Sequence, residues 1–227
     1  HRGEVVGISG LMGSGRTEFA MSLFGKSYGR NISGKLKING KEVQLNTIKS
    51  AIQNKLAYVT EDRKGNGLIL SKSIMQNTTL AKLEAISKHQ VIDPDLELKV
   101  AKEVNEKLHT KCSSVLEQVN NLSGGNQQKV LLSKWIFAEP DILLLDEPTR
   151  GIDVGAKYEI YCIINQLAEE GKSILFISSE MPEVLGICDR IYVLSEGRIV
   201  GEMPGSEASQ EKIMKCIVQN QKGDQLP

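Results

Sequence analysis

The spacing of apolar and polar positions predicts alternating strands and helices at both ends of the chain, with a purely helical stretch between them. Val5-Val6-Gly7-Ile8-Ser9 is a short apolar run that opens directly into glycines, and Thr17 to Phe24 has helical composition until Gly25 stops it, which predicts strand, loop, helix. Leu36-Lys37-Ile38 alternates with period two, Asn39-Gly40 favours a tight turn, and Val43 falls on the returning strand of a β-hairpin. Asp93-Pro94 supplies a helix cap followed by proline at the first helical position, and Leu96, Val100, Val104 and Leu108 then fall on one face. From about Asp62 to Asn121 the patterns are helical with little β character, as expected of an inserted helical lobe. A helical run from Asn126 to Phe137 follows. The strand Ile142 to Leu145, the helix Ala156 to Glu170 closed by Gly171, and the strand Ser173 to Ile177 then repeat the βαβ rhythm of a parallel sheet. Ile191 to Leu194, the turn Glu196-Gly197 and Arg198 to Val200 predict a second hairpin, and Gln219 to Pro227 a frayed tail.

The expected fold class is therefore α/β, a single domain in two lobes: a core lobe over about 1–61 and 139–218, a helical lobe over about 62–138, and the tail 219–227. A length of 227 residues with 40% apolar and 4% aromatic content supports one substantial core of this kind. Lysine plus arginine and aspartate plus glutamate both number 28, so no excess positive charge is available to hold a polyanion across a broad face, which argues against a nucleic-acid partner. Cys112, Cys162, Cys188 and Cys216 lie far apart with no C-x-x-C pair and are expected to be reduced thiols in a cytosolic protein. No apolar segment approaches the roughly 20 residues of a spanning helix. With no charged-then-apolar leader at the N-terminus, the sequence is expected neither to cross a membrane nor to be exported. His89 and His109 have no partners at metal-ligand spacing and are expected at the surface.

Three segments carry the chemistry. Gly10-Leu11-Met12-Gly13-Ser14-Gly15-Arg16-Thr17 has the phosphate-loop spacing G-x-x-x-x-G-K-[ST] with arginine in place of lysine. Its glycines let backbone N–H groups converge on phosphates, the following helix adds its positive N-terminal dipole, and Thr17 is placed to direct its hydroxyl at Mg2+. Asp146 follows four apolar residues, so a buried strand delivers its carboxylate to the C-terminal edge of the sheet, where a Mg2+ beside Thr17 would be held. Glu147, one residue on, is the candidate catalytic base. Ser123-Gly124-Gly125 precedes a helix and offers a second set of amides to an anion. With its own phosphate loop already present, the second set is expected to serve an ATP bound by another domain.

At these residues the chain resembles the ATP-binding-cassette family. Gly10 to Thr17 looks like its Walker A loop, Leu122-Ser123-Gly124-Gly125-Asn126-Gln127-Gln128-Lys129 its signature, Ile142 to Glu147 its Walker B strand, and Gly151-Ile152-Asp153 its D-loop. Asn126 after Ser-Gly-Gly, Gly15-Arg16-Thr17, Thr60-Glu61-Asp62-Arg63 and Glu147-Pro148-Thr149-Arg150-Gly151 are similar to the second ATPase half of bacterial monosaccharide importers of the ribose, xylose and galactose type. The resemblance spans about Gly3 to Ile217. It implies a P-loop NTPase fold with a RecA-like parallel core, helices on both faces and an inserted α-helical subdomain. It also implies ATP and Mg2+ as cofactors, and two cassettes in tandem paired head to tail, each nucleotide lying between one Walker loop and the other signature.

Three departures surround one nucleotide. Arg16 replaces the usual lysine, Glu61 stands at the γ-phosphate-sensing glutamine, and Ser179 stands at the switch histidine. The guanidinium is larger than an ammonium and does not fit the same compact cage, Glu61 would repel the γ-phosphate, and Ser179 is too short to bridge phosphate and Glu147. The expectation is a slow site of its own, with the intact Ser123-Gly124-Gly125 completing a competent site on the partner. The resemblance further implies that a strand and an adenine-stacking aromatic precede His1, that the chain is a fragment of a tandem protein, and that isolated it binds nucleotide weakly. A permease helix is expected near Glu61 to Leu80, against Asp62, Arg63 and Lys64, with a periplasmic or extracellular sugar-binding protein as an indirect partner. The chain is expected to be peripheral on the cytoplasmic side of the membrane. The rival readings are a soluble cassette of DNA repair or translation and a regulatory domain without hydrolysis; the absence of sustained heptads and of basic surplus weighs against the first.

Overall fold

The computed structural model describes residues 1–223, with side chains described through Asn220. In chain order the elements are β1 (Val5–Ser9), α1 (Arg16–Leu23), β2 (Leu36–Ile38), β3 (Lys41–Val43), α2 (Ile48–Gln53), β4 (Leu56–Val59), α3 (Ile74–Thr79), β5 (Ser87–Lys88), β6 (Val91–Ile92), α4 (Pro94–Lys107), α5 (Gly124–Phe137), β7 (Ile142–Asp146), α6 (Val154–Glu169), β8 (Ser173–Ile177), α7 (Met181–Ile187), β9 (Arg190–Ser195), β10 (Arg198–Pro204) and α8 (Gln210–Gly223). They form two compact units. The first comprises His1–Tyr58, Asp141–Glu147 and the chain from Asn165, and the second Val59–Pro140 and Pro148–Ile164.

The first unit is built on a six-stranded sheet in the order β10-β9-β1-β8-β7-β4. β1 runs parallel to both β8 and β9, and β7 runs parallel to β8, with Ile8 opposite Ile177 and Asp146 also opposite Ile177. The apolar runs of the sequence become fully buried strands, with Leu143, Leu145, Phe176, Ile177, Ile191 and Val193 at 0% exposure. The ends of β1, β7 and β8 stop at one edge, so the residues that follow each strand arrive together. Both predicted hairpins form: Asn39-Gly40 and Glu196-Gly197 have positive φ at both central positions, the turn whose twist matches paired strands. Helix α8 continues through Gly223, so residues 219–223 are helical where a tail was expected, with Ile213 and Ile217 upstream in the same helix buried one turn apart. Residues 224–227 of that expected tail lie outside the described residues.

In the second unit α3, α4 and α5 bury Ile74, Ala101, Leu108, Val130, Leu131 and Leu132. Helix α4 begins as its sequence predicts, with the Asp93 side chain accepting the Leu96 N–H at 3.1 Å. Its buried face, however, is Glu97, Ala101, Asn105 and Leu108, while Leu96, Val100 and Val104 are half-buried. The reason lies on neighbouring helices. The Thr79 hydroxyl donates to Glu97 at 2.8 Å, and Asn105 Nδ2 donates to Thr78 Oγ1 at 2.9 Å, itself 3.0 Å from Ser133 Oγ, so the polar positions turn inward with partners. Residues 148–164, expected in the core lobe, group with the helices. One tie is visible at Lys129, 1% exposed, whose ammonium lies 2.7 Å from the Glu159 carboxylate of α6. His89 and His109 are exposed. Among the described residues no helix is long and apolar enough to cross a membrane.

Candidate functional site

The loop from Gly10 to Thr17 connects β1 to α1. Gly13 and Gly15 have φ of 78° and 95°, and Ser14 N donates to Leu11 O at 3.1 Å, closing a tight turn. No side chain caps α1, because its capping position is Gly15, which has none to offer the first-turn amides. Leu11, Met12 and Gly13 are exposed, whereas Ser14 and Arg16 are buried. Ser14 Oγ is a buried polar atom with no partner.

Arg16 folds back on its own loop. Its guanidinium donates to the Gly10 carbonyl, to Leu11 O at 3.1 Å, and to Glu147 Oε1 at 3.3 Å. The guanidinium, expected to be too large for the compact cage that an ammonium occupies, is held by two loop carbonyls and one carboxylate, because its planar fork reaches several acceptors at once.

Asp146 is fully buried at the end of β7, and the Tyr58 hydroxyl donates to its Oδ2 at 2.8 Å. Burial raises its pKa, against the lowering effect of hydrogen bonds from Tyr58 and Thr17. Its Oδ1 has no hydrogen-bond partner. Thr17 and Asp146 are thus brought together, with one carboxylate oxygen free to bind a hard cation, which fits Mg2+ completed by oxygens from outside the protein. Among the described residues no group of three or more His, Cys, Asp or Glu side chains is arranged to hold a metal alone.

Glu147 has a left-handed φ of 48°, and its N–H bonds Ile177 O at 2.9 Å. Burial raises its pKa, while hydrogen bonds from Ser179 and the charge of Arg16 draw it back. Ser179, two residues past the end of β8, thus lies near enough to Glu147 to act on its carboxylate. Tyr58 was missed in the sequence reading. A phenol inside a buried strand needs an acceptor, and that requirement was its one available signal.

In the second unit, Ser123 caps α5. Its Oγ accepts the Asn126 N–H at 3.4 Å and Asn126 Nδ2 at 2.9 Å, while Asn126 Oδ1 accepts the Lys111 N–H at 2.9 Å. Gln127 Nε2 donates to Leu122 O at 3.2 Å, holding the turn before the cap. A hollow of about 250 Å³ here is lined by Lys111, Ser123, Asn126, Asp153 and Glu159. Gly151-Ile152-Asp153 lies beside it in the chain fold, with Gly151 at φ 66°, Ile152 buried, and Asp153 Oδ1 capping α6 through Ala156 N at 3.0 Å. The Glu61 carboxylate pairs with the Arg150 guanidinium. Asp62 Oδ1 accepts the Gly65 N–H at 2.9 Å, and Lys64 is exposed.

A family model described as ABC transporter matches residues 1–150. The chain belongs to the ABC transporter family. Within that family it is 62% identical over 216 residues to the L-arabinose transport ATP-binding protein AraG of Geobacillus stearothermophilus, covering 95% of this chain and 42% of that protein. It is 56% identical to the xylose import ATP-binding protein XylG of Geobacillus kaustophilus, over 94% of this chain and 42% of the relative. The ribose import ATP-binding protein RbsA of Clostridium perfringens is 50% identical over 96% of this chain and 43% of its own length. The chain therefore spans about two fifths of the length of these relatives. The fold agrees with a nucleotide-free ATP-binding cassette from an ABC transporter at TM-score 0.76, 18% identity, covering 98% of this chain and 87% of the other. A dimeric cassette in a post-hydrolysis state bound to ADP and Pi matches at TM-score 0.73 and 22% identity, over 90% and 86%. The P-loop NTPase fold expected of an ABC transporter ATPase is thus present in this member of the family.

Proposed function

We propose that this chain is one ATP-binding half of a tandem ATPase that powers sugar import, that its own nucleotide site turns over slowly, and that it lends its signature to the partner cassette. The observation that carries this reading is the pairing, in one chain, of two helix N-termini: α1, which has no side-chain cap, and α5, capped by Ser123 and opening onto a polar hollow. The names of the relatives supply the transported class, and their greater length is consistent with a second cassette in the same polypeptide. The remaining partners would be integral permease subunits and, indirectly, an extracellular or periplasmic sugar-binding protein, with the ATPase peripheral on the cytoplasmic face.

In this reading the amides of Gly13 to Thr17 receive the phosphates of the chain's own ATP. Mg2+, when bound, would neutralise phosphate charge, held by the Thr17 hydroxyl and the free Asp146 oxygen. Glu147 is the base that orients and deprotonates water, and the nearby Ser179 steadies its charged carboxylate. Slowness follows from the same contacts. The Arg16 charge is shared with Glu147 and two loop carbonyls, so it is not presented to the γ-phosphate. A missing charged contact of this kind costs about 2–4 kcal/mol of transition-state stabilisation, a hundredfold or more in rate.

The test compares Glu147→Gln with Ser123→Arg in the tandem polypeptide. Hydrolysis is expected to persist in the first and to fall sharply in the second. Loss of hydrolysis with Glu147→Gln and none with Ser123→Arg overturns the reading.

A further inference from the structure

In the second unit Arg63, expected from the sequence to face a permease helix, turns its guanidinium to the chain itself. Arg63 Nη1 donates to Arg150 O at 2.8 Å and Nη2 to Gly151 O at 3.3 Å. Gly151, at φ 66°, turns the chain so that these two successive carbonyls face one guanidinium fork. The same Nη2 lies against the start of α5: a Cβ placed on Gly124 would stand 3.0 Å from it and 3.4 Å from Gly151 O. Arg63 thus touches Gly124, beside the capping Ser123, and the segment that leads into Ile152 and Asp153.

Two further features fix Arg63 itself. It opens a single π-turn, Arg63–Gly67, anchored by Asp62 through its side chain to Gly65 N and through its carbonyl to Asn66 N at 3.0 Å and Gly67 N at 3.1 Å. The contact is also reciprocal, since Arg150 returns its own guanidinium to Glu61, two residues before Arg63. The two segments are held by side chains crossing in both directions, which restrains their relative slide as well as their separation. Arg63 is half-buried, which lowers its pKa, and its Nε is a buried atom without a hydrogen-bond partner.

We propose that Arg63 is a positioning residue that clips the Arg150–Gly151 segment to the Gly124 end of α5, so that the segment after β4, the Ser123–Gly125 amides and the Gly151–Asp153 turn are set as one body. The inference rests on the proposed role of Ser123 toward a partner's ATP. Arg63 itself touches no substrate; it sets the position of groups that do.

The experiment uses the tandem polypeptide with Arg63→Ala, Arg63→Lys and, as reference, Ser123→Arg. Arg63→Ala is expected to lower kcat about tenfold or more while KM for ATP stays within about threefold, because the clip acts on an arrangement needed in the transition state rather than on ground-state binding. Arg63→Lys recovers only part of the rate, since an ammonium lacks the fork for both carbonyls. Amide hydrogen exchange at 122–127 and 150–153 is expected to accelerate in Arg63→Ala with an unchanged unfolding midpoint. If Ser123→Arg abolishes turnover while Arg63→Ala keeps parental kcat and exchange, the clip is wrong and the signature reading stands. If Ser123→Arg has no effect, the signature reading itself fails, and the clip falls with it.

Discussion

Lys134 shows how one residue sets a pH dependence. It is 8% exposed; its ammonium donates to Gly67 O at 2.5 Å and lies 5.0 Å from the Trp135 ring centroid. Burial pushes its pKa from 10.5 down to about 8. A base that is harder to protonate folded than unfolded contributes stability fully above its unfolded value, and that contribution is lost as pH falls through the folded value. At pH 7 the group is charged in both states, and the fold bears the cost of burying it. Lys134→Met is therefore expected to be more stable than the parent at pH 7 by about 1–3 kcal/mol, after allowing for the lost hydrogen bond. Urea denaturation at several pH values should show the difference shrinking from pH 8 towards 10.5. A parent that is the more stable at pH 7 would mean that the Gly67 bond outweighs desolvation.

Between elements, the contact of α5 with α6 is set by the absence of a side chain. A Cβ on Gly125 would lie 2.4 Å from the Ala156 Cβ, a distance that real atoms do not tolerate. Gly125→Ala should destabilise by about 1–3 kcal/mol as an overpacking change. Because the clash involves one partner atom, Ala156→Gly in the same chain should recover most of that loss, and a double-mutant cycle in denaturant measures the coupling. Purely additive effects would show that the helices do not meet there. The Ser123 cap and the Asp93-Pro94 start were legible because a cap is decided within four residues. The buried face of α4 was not, because Glu97 and Asn105 turn inward for Thr79, Thr78 and Ser133, none of which lies on α4. The contacts of Arg63 within the chain were invisible for the same reason: its acceptors are main-chain carbonyls 87 and 88 residues away.

At the scale of the molecule, the βαβ rhythm foretold a parallel sheet, but the order β10-β9-β1-β8-β7-β4 depends on which strands meet, which periodicity does not encode. That order matters to the site. β1 and β7 both flank β8, so their ends converge and Arg16 meets Glu147 across 131 positions of chain. The guanidinium then satisfies Gly10 O, Leu11 O and Glu147 together, and in the proposed reading a phosphate competes with all three. Lysine has no fork with which to span these acceptors, and its compact charge is free to turn to a phosphate. Arg16→Lys is accordingly expected to tighten ATP binding to this chain by about five- to tenfold, roughly 1–1.4 kcal/mol, in calorimetric titration with Mg2+. The same substitution should raise turnover in the tandem polypeptide when the partner's site has been disabled, because Glu147 is released along with the arginine. Unchanged or weaker binding in Arg16→Lys would mean that the arginine already serves the phosphates as well as lysine does, and the proposed slowness of this site would have to come from Glu61 or Ser179 instead.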